Sequence, residues 1–165
     1  MPVKWKIFLV LNFVLSLPAL ICFILMFINF INSSYARSDE EYLFVFLPLF
    51  SLLLISLNGL LNIYILQRFF PDKLLPAAVR RLNAVSLGFN ILVAVGMLIL
   101  CIYAASYEFG NENEVEDSAG KIALAILFFL WLVQIIVLVM QGQLPGLINR
   151  NHRDKMDSLI DSIGQ

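Results

Sequence analysis

Four long stretches of the chain carry no charged side chain. They are residues 7–36, 42–67, 82–107 and 122–149. A helix needs about 20 apolar residues to cross the hydrocarbon of a bilayer, so each stretch is long enough for one crossing and too short for two. Their unbroken apolar runs differ from the alternating pattern of a transmembrane β-strand. We therefore predict four transmembrane helices, near 7–31, 43–67, 80–105 and 121–143.

The apolar pattern changes after Pro145. Apolar residues recur there at the i, i+3, i+4, i+7 spacing of an amphipathic helix, at Met156, Leu159, Ile160 and Ile163. Asn151 is a suitable N-cap, and Asp154 favours a first helical turn. We predict a short cytoplasmic amphipathic helix within 147–165, separate from a transmembrane bundle of residues 1–146. Its apolar stripe would contact the bundle, the inner membrane surface or a partner protein.

The composition agrees with this pattern. Hydrophobic residues make up 61% of the 165 residues and charged residues only 14%, with a mean hydropathy of +0.88. In soluble domains, about 45–50% of the residues are hydrophobic and about 25% are charged. A chain this short cannot bury so much apolar surface in one core, so the excess must face lipid. We predict an all-α integral membrane protein in contact with the lipid bilayer, and exclude a soluble enzyme or a nucleic-acid binder.

The start of the chain has features of a signal peptide. Lys4 and Lys6 precede the first apolar stretch, and residues 34–36 loosely resemble a cleavage site. The apolar run, however, is well beyond the usual length of about 7–15 residues in a signal peptide. We therefore expect the first helix to be retained.

The basic residues predict the orientation of the four helices. Nine would share one side of the membrane: Lys4, Lys6, Arg68, Lys73, Arg80, Arg81, Arg150, Arg153 and Lys155. Only Arg37 and Lys121 would lie on the other. Because basic residues concentrate in cytoplasmic loops, both termini are predicted to be cytoplasmic, in the plasma (cell inner) membrane. The short connections favour antiparallel neighbours, and hence an up-down-up-down bundle of four transmembrane helices.

The deep polar side chains are neutral. Proton relays and ion-coupled transporters usually place ionisable residues within the membrane, and the predicted spans place none at depth. A polar cluster is predicted in the cytoplasmic half, from Asn12, Asn58, Asn62, Ser86, Asn90 and Gln134. These side chains either bond one another across helices or line a polar cavity or an oligomeric pore, which would take a small polar solute or a dehydrated cation.

The second and third helices are predicted to contact each other. Their amides are in register, which favours contacts among Asn58, Asn62 and Asn90. Small residues let helix backbones approach closely, and the third helix has them at Ala84, Gly88 and Gly96.

Sequence motifs for chemistry are missing. The two cysteines, Cys22 and Cys101, lie on separate spans, and His152 is the only histidine. The chain has no Cys-x-x-Cys, nucleophile-elbow, zinc-protease or phosphate-loop sequence. We therefore expect no enzyme activity, no catalytic residue, no cofactor and no metal.

Two functions fit these features. The first is a multi-pass membrane protein acting through protein–protein contacts, as a subunit, an assembly factor, a regulator or an immunity-type protector. Its partner would be another membrane protein or a second copy of the chain. The second is an oligomeric channel or small-solute transporter lined by the inner-half Asn, Gln and Ser residues.

Overall fold

A computed structural model describes residues 3–32, 39–70, 73–110 and 118–163. These ranges contain no strand. They form four helices: α1 (Val3–Asn32), α2 (Asp39–Phe69), α3 (Ala77–Gly110) and α4 (Ser118–Ile163). Each helix is long and apolar enough to cross a membrane, which confirms the predicted all-helical fold with four candidate spans. Length and composition are those of a multi-pass membrane protein.

The first three predicted spans fall inside α1, α2 and α3. The connections from the first to the second predicted span and from the third to the fourth include residues 33–38 and 111–117, which lie outside the described part of the chain. On the predicted inner side, α3 begins just after Pro76, whose carbonyl accepts a hydrogen bond from the Arg80 amide at 3.0 Å. Proline suits this place because the first residues of a helix have no helical acceptor for an N–H group.

The fourth helix differs from the sequence prediction. It has 46 residues and runs without a break through Pro145, which makes it about 69 Å long at 1.5 Å per residue. The described residues from 147 onward thus prolong α4, where the pattern predicts a separate short helix. The hydrocarbon core is only about 30 Å thick, so much of α4 extends beyond it.

The helices pack around α2, which contacts α1, α3 and α4. Residues later in α1 contact residues earlier in α2. Asn12 bonds to Asn62, whereas the ring of Phe30 lies 5.1 Å from the ring of Phe46. The same reversed order relates α2 to α3 and α3 to α4, in the pairs Asn58–Ser86, Phe44–Tyr103, Asn83–Gln141 and Ala94–Trp131. Among the described residues, α1 and α3 do not contact each other, and α1 and α4 touch only slightly.

Apolar residues form clusters at different levels of the bundle. An end cluster, beside the α2–α3 connection, contains Ile65, Leu66, Phe69, Leu144 and Ile148. Two middle clusters contain Ala19, Leu52, Ile55 and Val137, and Val93, Met97 and Leu100. Trp5 and Phe70 extend the end cluster, with ring centroids 4.3 Å apart. Most of the buried polar residues lie between the end cluster and the middle clusters, while Ser51 and Gln134 lie beside the middle-cluster residues Leu52 and Val137.

The helices α1 and α2 approach each other closely at Gly59, on α2. A Cβ atom added there would lie 2.6 Å from the Cβ of Ser16 on α1. The predicted small-residue stripe of α3 behaves otherwise, since Ala84 is exposed and a Cβ on Gly88 would meet nothing within 4 Å. Only Gly96 faces α2, through the side chain of Leu47. Small residues therefore bring α2 close to α1 and contribute little between α2 and α3.

Candidate functional site

The polar side chains singled out from the sequence lie inside the bundle, in three separate hydrogen-bonded groups. Asn12, Asn58, Asn62, Asn90 and Gln134 are completely buried, and Ser86 is partly buried. The structure adds three buried residues to them. We call the whole set the amide layer: Asn12, Ser51, Asn58, Asn62, Asn83, Ser86, Asn90, Gln134 and Gln141. All four helices contribute to it, so a polar level crosses an otherwise apolar interior.

One pair of amides joins α1 to α2. Asn62 donates through Nδ2 to Oδ1 of Asn12 at 3.0 Å, and Asn12 donates in turn to the carbonyl of Phe8 at 2.8 Å. Gly59 lies one turn away on α2 and has no side chain, which lets the two backbones come close enough for this bond. The side-chain N–H of Asn62 is therefore used in a bond to α1. It does not make the contact with Asn90 that the register favours.

A single oxygen joins α2, α3 and α4. Oδ1 of Asn58 accepts a hydrogen bond from the hydroxyl of Ser86 on α3 and a second one, at 3.2 Å, from Nε2 of Gln141 on α4. A carbonyl oxygen has two lone pairs, so both of its acceptor positions are filled. This junction joins α2 to α3 through Ser86, where register favoured Asn90, and it also joins both helices to α4.

Asn83 and Gln141 bond reciprocally between α3 and α4. Nδ2 of Asn83 lies 3.4 Å from the main-chain oxygen of Gln141, and Nε2 of Gln141 lies 3.4 Å from the main-chain oxygen of Asn83. Residue 141 lies four positions before Pro145, which has no N–H to donate to it. Asn83 therefore supplies a donor to a carbonyl that the proline leaves free, and α4 continues through Pro145.

A third group of bonds joins α2, α3 and α4 at the level of Gln134. Nε2 of Gln134 donates to Oδ1 of Asn90 at 3.0 Å, and its Oε1 accepts from the hydroxyl of Ser51 at 2.8 Å. Close by, the indole N–H of Trp131 donates to the carbonyl of Ala94 at 3.0 Å. Asn90 thus bonds to α4, and α4 bonds to α2.

Sequence reasoning missed Gln141 because the fourth span was expected to end near residue 143. A usable signal was present: Gln141 follows Gln134 by seven residues, which is two helical turns and places both amides on one face. Asn83 precedes Ser86 and Asn90 by three and seven residues and shares their face in the same way.

Five buried polar atoms of the amide layer have no hydrogen-bond partner among the described residues. Two are donors, Nδ2 of Asn58 and Nδ2 of Asn90, and three are acceptors, on Asn62, Asn83 and Gln141. A buried polar atom without a partner costs about 1–3 kcal/mol. The amide layer is therefore neutral, closely bonded and still able to make further hydrogen bonds.

Apolar residues cover the amide layer on both sides along the helices. On α4, Leu144 and Ile148 of the end cluster lie beyond Gln141, and Leu130, which packs on the middle clusters, lies beyond Gln134. On α3, Val79 packs on the end cluster and Val93 belongs to a middle cluster, with the polar residues between. This arrangement suits the joining of helices, since a hydrogen bond in apolar surroundings has little competition from water.

The predicted apolar stripe of the tail lies in the open. Met156, Leu159 and Ile160 are 46%, 48% and 62% exposed, and every side chain from 153 to 162 is exposed. The side chain of Ile163 lies outside the described part. The described stripe is therefore not covered by the bundle.

Comparisons with known proteins give no relative from which a role can be taken. No family model, curated protein or solved structure matches the chain. Among the described residues, no three His, Cys, Asp or Glu side chains lie close enough together to hold a metal ion. The amide layer and the exposed tail are the two features from which a function can be argued.

Proposed function

We propose that this chain is a multi-pass protein of the plasma (cell inner) membrane that acts through contacts with another membrane protein or a second copy of itself. Its role would be that of a subunit, an assembly factor, a regulator or an immunity-type protector. The observation that carries the proposal is the bonding of the amide layer within one chain. Polar groups engaged in joining the helices leave the apolar outer surface and the tail as the parts that meet other molecules.

We infer an up-down-up-down bundle with both termini in the cytoplasm. The reversed order of contacts between successive helices supports the first part. The distribution of basic residues, nine against two, supports the second, because cytoplasmic loops are enriched in Lys and Arg. The cytoplasmic ends would then include the end cluster and the protruding part of α4.

The tail is the proposed contact element. From residue 143 to its end, α4 is about 30 Å long at 1.5 Å per residue, and its apolar stripe faces open space. Exposed apolar side chains at i, i+3 and i+4 on a helix fit an apolar groove on a partner. The charges of Arg150, Arg153 and Lys155 are balanced by three aspartates, which does not favour deep binding to anionic lipid.

Photocrosslinking in native membranes tests this proposal. A crosslinking amino acid at Leu159 should give a discrete protein adduct, which Met156→Asp should abolish because it places a charge in the stripe. Ser158→Asp adds the same charge on the opposite face of the helix and should leave the adduct in place. Crosslinks to lipid alone, or an adduct equally lost in both variants, would contradict a partner on this stripe.

The alternative of an oligomeric channel or small-solute transporter draws support from the five unpartnered polar atoms. Polar groups free to bind a solute are what such a pathway needs. Two measurements separate the functions: the oligomeric state in mild detergent and solute flux in proteoliposomes. A ring of subunits with flux that Asn90→Leu blocks would favour the channel. A particle without flux would favour the contact protein.

A further inference from the structure

We propose that the amide layer holds a bound water molecule where α2, α3 and α4 meet, between Asn58, Asn83 and Gln141. This inference does not depend on the proposed function. It rests on three neighbouring residues: the side chains of Asn58 and Gln141 bond to each other, and Asn83 and Gln141 each bond to the other's main-chain oxygen. Each of the three is at most 3% exposed and keeps one polar side-chain atom without a hydrogen-bond partner among the described residues.

The free atoms complement one another. Asn58 keeps a donor, Nδ2, while Gln141 and Asn83 keep acceptors, Oε1 and Oδ1. Two primary amides can join through two N–H···O bonds, and Asn58 and Gln141 make only one of these, from Nε2 to Oδ1 at 3.2 Å. The donor of Asn58 and the acceptor of Gln141 thus belong to two amides that are already bonded to each other.

Rotating the amides does not remove the free atoms. If Asn58 were flipped, its NH₂ group would face the donor Nε2 of Gln141, and flipping Gln141 would set two oxygens against each other. Flipping Asn83 would place its oxygen against the main-chain oxygen of Gln141. Flipping Asn58 and Gln141 together would keep a bond between them but would set Oε1 of Gln141 against the main-chain oxygen of Asn83. The bonds already made therefore favour the orientations described, and the three free atoms follow from them.

Water is the ligand whose chemistry fits this set. One molecule accepts a hydrogen bond from Asn58 and donates one each to Gln141 and Asn83, and about three bonds is the usual number for a buried water. A cation would be attracted to the two oxygens but repelled by the amide hydrogens of Asn58. An anion would be attracted to the amide hydrogens of Asn58 but repelled by the oxygens of Gln141 and Asn83. A neutral molecule that both donates and accepts satisfies all three.

The site lies one helical turn from Pro145 in α4. Gln141 is the residue whose carbonyl Pro145 leaves free, and Leu144 and Ile148 lie between this level and the cytoplasmic part of α4. Leu144 is completely buried and Ile148 is 2% exposed. A water held here is shielded by the end cluster, so it exchanges with bulk water far more slowly than surface water does.

Water-to-amide magnetisation transfer tests the proposal, measured by NMR on the ¹⁵N-labelled full chain in lipid nanodiscs. We expect transfer from water to the side-chain NH₂ of Asn58. The matched control is the indole N–H of Trp131, whose only hydrogen is donated to Ala94, and which should show little transfer. Transfer at Asn58 no stronger than at Trp131 would overturn the proposal, as would transfer from a bound solute instead of water.

Two variants make the assignment specific. Asn83→Ala removes one of the three ligands and should weaken the transfer at Asn58 several-fold. Asn90→Ala removes an amide that bonds to Gln134, outside the three, and should leave that transfer unchanged. Equal effects of the two variants would show that water enters the layer generally, and would overturn a site at this junction.

Discussion

Nδ2 of Asn83 on α3 donates to the main-chain oxygen of Gln141 on α4, at 3.4 Å, and that oxygen is the one Pro145 cannot serve. A proline inside a helix removes the hydrogen bond to the carbonyl four residues earlier. Membrane helices tolerate this when a neighbouring helix satisfies the freed group. One side chain of α3 thus supports the continuity of the longest helix in the protein.

This relationship predicts a dependence between Asn83 and Pro145. Asn83→Leu should destabilise the bundle by about 0.6–2 kcal/mol, the range of hydrogen bonds between membrane helices. In a Pro145→Ala background the helix supplies its own donor to Gln141, so the same substitution should cost less. Steric trapping in bicelles measures both free energies of unfolding. An equal cost in the two backgrounds would show that Asn83 does not act through this carbonyl.

The close approach of α1 and α2 predicts a large effect from one methyl group. Gly59→Ala would set a Cβ 2.6 Å from that of Ser16, and such overpacking typically costs about 1–3 kcal/mol. The matched control is Gly88→Ala, where a Cβ meets nothing within 4 Å. Thermal unfolding in the same detergent compares the two variants. Similar melting temperatures would mean that α1 does not pack as described.

The helices could be predicted from the sequence, but their partners could not. Uninterrupted apolar runs predict spans because every helix that crosses a bilayer needs about 20 apolar residues. The helices α1, α2 and α3 contain the spans expected. Which amide meets which depends on rotation and packing of helices: Asn62 bonds to Asn12 and Asn90 to Gln134, although register favoured contacts between the second and third helices. The sequence pattern also could not show that α4 continues through Pro145, because the donor to the carbonyl that the proline leaves free, Asn83, comes from another helix.

The proposed orientation predicts a labelling pattern in intact cells. Cysteines introduced at Ser38 and Asn113 should react with a membrane-impermeant maleimide, whereas one at Ser162 should not. The parent chain, with Cys22 and Cys101, gives the background. Labelling at Ser162 from outside would reverse the orientation.

The exposed tail predicts that the bundle folds without it. Deletion of residues 151–165 should leave insertion and the melting temperature close to those of the full chain, because the described side chains from 153 onward are exposed. It should reduce function if the tail binds a partner. Membrane fractionation and thermal unfolding give the answer, and poor insertion of the shortened chain would show that the tail belongs to the folded core.

The central claim is that the amide layer joins the helices of a single chain, and the pair Asn12 and Asn62 tests it most directly. Their bond, at 3.0 Å, is between side chains of α1 and α2, so each can be replaced by leucine and the double-mutant cycle closed. We predict a coupling energy of about 0.6–2 kcal/mol for this pair. Asn62 with Asn90, which bond to different partners, should show less coupling. Strict additivity for Asn12 and Asn62 would contradict the account.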